Sequence, residues 1–122
     1  MKLQIIGILD RGVVNKERLF LKVAQDTNLS YYIALLSQHV DLTGAGISDG
    51  HRQAFWFPSR PARAGDQIVL YSGPGFPTTR VEPTGATTYF FYWGLPQTVW
   101  NNSLSCAVLV EAATWATTRV GG

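Results

Sequence analysis

Apolar residues recur along the chain in short runs rich in Val, Ile, Leu and aromatics, and clusters of Gly, Pro, Asn, Asp and Ser separate these runs. Such a pattern is typical of strands joined by turns in an antiparallel sandwich or barrel. The predicted strands are residues 3–9, 17–24, 31–36, 54–57, 67–71, 88–93 and 106–115. We therefore predict an all-β protein, an immunoglobulin-like antiparallel β-sandwich of about seven to nine strands.

Residues 28–37 form the one segment whose pattern fits both a helix and a strand. The i, i+3, i+4, i+7 spacing of a helical stripe is met by Leu29, Tyr32, Ile33 and Leu36. Two tyrosines and an isoleucine nevertheless favour extended backbone, because aromatic and β-branched residues pack well on a pleated sheet. We predict a strand here and no amphipathic helix elsewhere.

The chain has 122 residues, the size of one domain, and we expect residues 1–122 to fold as a single unit. Apolar residues make up 46% and charged residues 15% of it, a globular composition that argues against disorder. Ten basic and eight acidic residues give a net charge of +2, without runs of like charge. This balance argues against a dedicated nucleic-acid-binding protein, which would carry a basic patch.

Cys106 is the only cysteine, so the chain can form neither an intrachain disulfide nor a zinc site built on several thiolates. This usage favours a reducing compartment. The apolar residues 3–9 are too few for a signal peptide, and no small-residue cleavage site follows them. No window approaches the roughly 18 apolar residues of a membrane span. We therefore expect a soluble protein, with the cytoplasm favoured as its location.

Hydrolysis by a nucleophile and a base would have to use His39 or His51, the two histidines of the chain. Cys106 could meet either histidine in space, but it lies in the apolar run 105–110, where a thiol packs as a small hydrophobic group. We predict a structural role for Cys106 and no catalytic residue. A hydrolase in which these groups converge with carboxylates in one pocket is the third functional alternative.

Residues 41–50, DLTGAGISDG, contain two carboxylates and several backbone carbonyls, the hard oxygen ligands that calcium prefers. Their spacing differs from that of an EF-hand loop, and Asp and Gly at such positions more often form turns. Gly44 and Gly46 also have no phosphate-binding lysine after them. We predict turn formation rather than a metal site for this loop, and no cofactor for the chain.

Four arginines and one tryptophan are candidates for contact with a partner: Arg52, Arg60, Arg63, Arg80 and Trp56. Aromatic rings and guanidinium groups together can hold a single nucleic-acid strand. Against that role, Phe55 and Phe57 alternate with Trp56 in a predicted strand, so one face of this aromatic set belongs to the core. The structural interpretation of the aromatics is therefore favoured, and the arginines are left as the candidate surface.

From Glu17 onwards, the chain contains motifs in the order of a known family. Residues 40–49, VDLTGAGISD, are similar to a "v-D-L-s-G-W-x-l-s-D" turn, and the aromatic residues 55–58, FWFP, follow it as expected. Residues 64–71, AGDQIVLY, are similar to an "l-x-p-G-x-x-l-v-v" turn and strand, with the glycine at the bend. On this order of motifs the chain resembles the lamin-tail-like domain, a compact immunoglobulin-like β-sandwich of nuclear lamins and many bacterial proteins.

A third motif of the family is an "l-w-N-x-G-D-x-v-x-L" hairpin. Residues 92–95, YWGL, and 99–102, VWNN, followed by 107–109, AVL, resemble it. Two positions differ from the family pattern: Ala45 replaces a tryptophan, and the pair 104–105, Leu-Ser, replaces a Gly-Asp turn.

The resemblance implies a module without catalytic residues. Lamin tails bind proteins and chromatin, and bacterial relatives accompany nucleases or other hydrolases as accessory or anchoring domains. We therefore expect a binding or scaffolding protein that acts by protein–protein interaction or self-association, using sheet edges and the loops at 41–50 and 73–85. The alternative is a nucleic-acid-associated accessory module that uses the arginine and aromatic residues named above.

Overall fold

The computed structural model describes residues 1–40 and 53–121, which contain ten strands and one 3₁₀ turn. The strands are β1 (Leu3–Leu9), β2 (Arg18–Val23), β3 (Thr27–Asn28), β4 (Tyr32–Gln38), β5 (Ala54–Trp56), β6 (Pro61–Ala62), β7 (Gln67–Tyr71), β8 (Thr78–Val81), β9 (Thr87–Tyr92) and β10 (Ser105–Glu111). The 3₁₀ turn, Leu29–Tyr31, lies between β3 and β4. The predicted all-β class is confirmed.

The ambiguous segment 28–37 is a short turn followed by a strand. The side chain of Asn28 accepts a hydrogen bond from the Ser30 N–H at 3.0 Å and thereby caps the turn. Leu29 is buried in this turn, and β4 then begins at Tyr32. Three residues of the helical stripe, Leu29, Tyr32 and Leu36, therefore face the core as one turn residue and two alternate strand residues, whereas Ile33 lies on the other side of β4.

Five strands form the larger sheet in the order β1-β2-β7-β9-β8, three form a smaller sheet in the order β10-β4-β5, and β3 pairs with β6. Neighbouring strands are antiparallel, as expected, except for β7 and β9, which run parallel. The reason is β8, an unpredicted strand within the predicted loop 73–85. It forms the sheet edge and pairs antiparallel with β9, so the chain passes over β9 before returning to lie beside β7.

The core lies between the two larger sheets and consists of residues that alternate along each strand. The larger sheet contributes Leu3, Leu19, Leu21, Val23, Ile68, Leu70 and Phe91, and the smaller sheet and its flanks contribute Tyr32, Ala34 and Phe57. Phe57 contacts Phe55 edge-to-face at 5.2 Å and Phe91 at 5.4 Å between ring centroids. These contacts join the two sheets as in a β-sandwich, and they confirm the predicted core role of Phe55 and Phe57.

Glu17, directly before β2, is a carboxylate with 1% of its surface exposed. Its Oε1 accepts hydrogen bonds from the Ser72 hydroxyl at 2.7 Å and the Val99 N–H at 2.8 Å. Its Oε2 accepts from the Gly12 N–H at 2.8 Å and the Trp100 N–H at 3.0 Å. One side chain thus joins the β1–β2 loop, the end of β7 and the segment between β9 and β10.

Burial raises the pKa of Glu17, but hydrogen bonds lower it further than burial raises it. The donors that lower it are Val99, Gly12, Ser72 and Trp100, and the resulting pKa lies below the usual value of 4.5. The folded protein therefore holds Glu17 as a carboxylate at neutral pH. Hydrogen bonds to an ionised acceptor are stronger than those between neutral groups, which strengthens this junction.

We expect Glu17→Gln to destabilise the fold by on the order of 3 kcal/mol, because the amide offers one acceptor oxygen and turns an NH₂ group towards buried donors. Urea unfolding followed by tryptophan fluorescence measures the loss. Glu111→Gln is the matched control: Glu111 is exposed and accepts one hydrogen bond from the Tyr32 hydroxyl at 2.7 Å. The control should cost about 1 kcal/mol or less. Equal losses for both variants would contradict a central role of Glu17.

The stability provided by Glu17 should depend on pH in one direction. Because its pKa is lower in the folded chain than the usual 4.5, its contribution is complete above that value and is lost as pH falls through the folded pKa. We therefore expect the gap in urea midpoint between the wild type and Glu17→Gln to shrink on acidification from neutral pH to about pH 2.5. A gap that stays constant over this range would show that ionisation of Glu17 does not contribute.

Candidate functional site

Two of the predicted contact residues, Arg60 and Arg63, flank β6. The backbone of Arg60 is held by Asn28, whose Oδ1 accepts the Arg60 N–H at 3.2 Å. The backbone of Arg63 is held by Asp66, whose Oδ2 accepts the Arg63 N–H at 2.9 Å. Both arginine side chains are exposed, and neither forms an ion pair with another described residue. Their backbones are therefore fixed while their charges face solvent.

Tyr89 lies close to both arginines. Its hydroxyl donates to the Pro61 carbonyl at 3.0 Å. Burial and the nearby Asp66 carboxylate raise the pKa of Tyr89, while Arg60 and Arg63 lower it by a smaller amount. Arg63 also borders an open concavity of about 470 Å³ together with Lys22 and the Gly65 and Gly85 turns. We name Lys22, Arg60 and Arg63 the cationic corner: Arg60 and Arg63 lie near Tyr89, and Lys22 lines the concavity with Arg63 and the buried Asp66 carboxylate.

Arg80 lies elsewhere, on β8 at the edge of the larger sheet. Its Nε donates to Glu82 Oε1 at 2.8 Å, and its guanidinium lies over the Phe90 ring at 5.1 Å from the centroid. Part of its charge is balanced by Glu82 and part of its surface is covered by Phe90. Two strands, β9 and β7, separate Arg80 from Lys22 on β2, and Arg80 does not line the concavity. Arg52, the fourth predicted arginine, lies outside the described residues.

Trp56 points away from the core on β5, as the alternation with Phe55 and Phe57 predicts, and is 46% exposed. Its Nε1 donates to the Ser30 carbonyl at 2.7 Å. Its ring meets Trp115 of the C-terminal segment edge-to-face at 5.2 Å. Trp56 is thus an ordered but accessible aromatic side chain on the outer side of the smaller sheet.

The smaller sheet carries a second apolar face, which was not predicted from the sequence. Ile33 lies opposite Val110 and Leu35 opposite Val108 across the β4–β10 pair. None of these four residues belongs to the core between the sheets, and all four are partly exposed. They alternate with the buried Ala34, so they point outwards. We name these four residues the β4–β10 face.

The β4–β10 face is uncharged. Between Tyr32 and Gln38 on β4 there is no ionisable group except the buried Tyr32, and the first carboxylate on β10 is Glu111 at its end. Trp56 extends the face, because it lies opposite Ile33 on the neighbouring strand. A signal for this face does exist in the sequence: residues 32–36 and 106–110 are continuous apolar runs, as in strands covered on both sides.

The outer side of the larger sheet carries an aromatic stack that is mostly covered. Tyr71 and Tyr92 are stacked at 5.1 Å with an angle of 10° between their rings. The Arg18 guanidinium lies over Tyr71 at 5.9 Å, and the backbone of Gly75 packs so closely on Tyr92 that a Cβ would overlap the ring. These rings therefore leave little free surface on which a nucleic-acid base could stack.

Cys106 is buried, as predicted, and burial raises the pKa of its thiol. A raised pKa keeps the thiol protonated at neutral pH, which makes it a poor nucleophile. The N–H of His39 donates to the Leu104 carbonyl at 2.8 Å in the turn next to β10. His51, like the whole loop 41–50 considered for calcium, lies outside the described residues. Within residues 1–40 and 53–121, no three His, Cys, Asp or Glu side chains converge as a metal site would require.

Comparison with known proteins finds no family model and no curated protein that matches this chain. In the described part of the chain, no helix is long and apolar enough to cross a membrane. The geometry of the described residues gives two surfaces as functional candidates, the uncharged β4–β10 face and the cationic corner.

Proposed function

We propose that this chain is a non-catalytic binding or scaffolding module that recognises a protein partner through the β4–β10 face. The observation that carries this proposal is the sheet β10-β4-β5, whose strands are apolar on both sides while only one side packs on the core. Neighbouring apolar side chains that stay partly exposed on a small protein commonly mark an interaction site. An aliphatic protein surface is the partner chemistry that fits it.

The chemistry of the face argues for a protein rather than a nucleic acid. Ile33, Leu35, Val108 and Val110 offer neither positive charge nor hydrogen-bond donors, which contacts to phosphates need. The exposed Trp56 beside them adds a large aromatic side chain of the type enriched at interface centres. Burial of these groups against an apolar partner surface would provide the main favourable free energy of binding.

We further propose that the module is a lamin-tail-like domain of the immunoglobulin-like kind. The order of the three motifs from residue 40 onwards supports this assignment, as does the packing of two sheets around a shared core. The bend at Gly65, with a φ of 95°, also lies where the second motif has its glycine, because this backbone conformation favours glycine. A non-catalytic role agrees with the buried, protonated Cys106 thiol.

We expect Val108→Lys to weaken partner binding at least about tenfold, because a charge in the centre of an apolar contact loses its hydration. Val108 is only partly buried, so the lysine can reach solvent in the free protein and the fold should be retained. The matched control is Val81→Lys on β8, where the native side chain is 74% exposed.

The measurement has two stages. The wild-type chain is first used to capture a binding protein from its host, and that protein is then purified and titrated by calorimetry with all three chains. Wild type and Val81→Lys should bind it equally, with the negative heat-capacity change of apolar burial, and Val108→Lys should not. Equal affinity for all three chains, or the absence of any protein that binds the wild type directly, contradicts the proposal.

A second candidate function, a nucleic-acid-associated accessory module, is supported by the cationic corner. Arg60 and Arg63 have no ion-pair partner among the described residues and lie beside Tyr89, while Lys22 shares the adjoining concavity with Arg63. Guanidinium groups next to an aromatic side chain are common in single-strand binding surfaces.

If this second function operates, the Arg60→Ala/Arg63→Ala double variant should lose oligonucleotide affinity by at least about tenfold at low salt. Arg80→Ala is the control, because Arg80 is already paired with Glu82. Fluorescence anisotropy with single-stranded and duplex oligonucleotides at two salt concentrations tests it. Absence of wild-type binding at the lower salt concentration excludes this function, since phosphate contacts are strongest there.

A further inference from the structure

The C-terminal segment, residues 112–121, returns to the smaller sheet after β10 ends. The Ala112 N–H donates to the Tyr31 carbonyl at 2.7 Å, which continues the pairing of β10 with β4 by one residue. Shortly afterwards, Trp115 meets Trp56 on β5 edge-to-face, at 5.2 Å between ring centroids and 86° between ring planes. The strand order is β10-β4-β5, so the segment passes the start of β4 to reach β5.

This segment lies outside the core, beside the β4–β10 face. Trp56 points away from the core, so a ring that packs on it lies on the outer side of the smaller sheet. Two neighbouring strand spacings amount to about 10 Å, which is also the reach of about three extended residues. Residues 113–115 therefore suffice to bring Trp115 from β10 to β5. Ile33 lies opposite Trp56 across the β4–β5 pair, so Trp115 borders the Ile33 end of the face.

The attachment of this segment is weak. Within the described chain, one ring contact and no hydrogen bond join residues 113–121 to the other segments, and the Thr118 hydroxyl donates only to the adjacent Arg119 carbonyl at 3.4 Å. All residues from 113 to 121 are exposed. Segments with few buried apolar contacts and no backbone hydrogen bonds open most readily in a folded protein. The contact between Trp115 and Trp56 can therefore be exchanged for another.

The receiving side of the contact is fixed, whereas the other side is loose. The Nε1 of Trp56 donates to the Ser30 carbonyl at 2.7 Å, and this bond orients the indole. Trp115, in contrast, is 65% exposed. The segment also matches the uncharged face beside it, because Arg119 is its single charged residue. Trp56 is thus a preorganised docking point for an aromatic side chain, and Trp115 occupies it in this structure.

We propose that the C-terminal segment is an autoinhibitory strap, in which Trp115 occupies the position on Trp56 of an aromatic side chain supplied by the protein partner. The inference rests on the proposed function, since it names the partner's chemistry at one end of the β4–β10 face and the regulation of access to that end. The partner that fits is an extended, uncharged segment with an aromatic residue, because the strap that it displaces has this chemistry. One edge-to-face contact replaces another, so apolar burial on the rest of the face drives the exchange.

The first test is an NMR titration of the isotope-labelled full chain with N-acetyltryptophanamide, a free indole probe. The probe should shift the Trp56 indole N–H signal of Trp115→Ala with a dissociation constant at least about threefold lower than in the wild type, because the competing ring is absent. Trp115→Phe should resemble the wild type, since a phenyl ring also packs edge-to-face. Val120→Ala is the matched control in the same segment, because Val120 is fully exposed.

The same spectra test the contact without any probe. The Trp56 indole N–H signal of the wild type should change position in Trp115→Ala, because the neighbouring ring is removed, and it should stay in place in Val120→Ala. An unchanged signal in Trp115→Ala overturns the strap. Equal dissociation constants of the probe for the wild type and Trp115→Ala, or no shift of the Trp56 signal in either chain, also overturn it. Thermal unfolding confirms that all variants are folded.

Calorimetry with the captured partner separates the strap from the proposed function. Trp115→Ala should bind this partner at least about threefold more tightly than the wild type, and Val120→Ala should bind it equally. Unchanged or weaker binding by Trp115→Ala overturns the strap, while loss of binding in Val108→Lys still supports the β4–β10 face. Conversely, partner binding that tolerates Val108→Lys overturns that face as a docking site, and the probe titration then decides whether Trp115 blocks Trp56.

Discussion

The fold depends on one buried carboxylate. Glu17 accepts hydrogen bonds from residues 5, 55, 82 and 83 positions away in the sequence, so a single group fixes three distant segments. The segment between β9 and β10 contains no strand, yet it carries the fully buried Trp100. Its attachment to Glu17 satisfies N–H groups that would otherwise be buried without partners. Four donors therefore make it favourable to keep a charge where burial alone would oppose it.

Much of the fold could be predicted because core-facing and outward-facing residues alternate along its strands. The bounds of β1 and β7 coincide with the predicted ones, and alternation correctly placed Phe55 and Phe57 in the core. Strand β8 could not be predicted in this way, because all four of its residues are exposed and no apolar period marks it. The pair β3–β6 has two residues in each strand, too few for any pattern. Strand β10 ends at Glu111 rather than 115, because Ala112 and Ala113, which have low β-propensity, separate it from Thr114 and Trp115.

The candidate sites, too, could be predicted only where their residues are close to one another in the sequence. Arg60 and Arg63 are close in sequence, so their proximity in space was foreseeable. The position of Arg80 depends on the order of the strands in the larger sheet, which places Arg80 on the edge strand β8 beside Glu82. The β4–β10 face could have been predicted from the sequence. Two strands with continuous apolar runs imply that both of their sides pack against other apolar groups. The donors to Glu17 could not be foreseen, because turns, not periodic elements, bring them together.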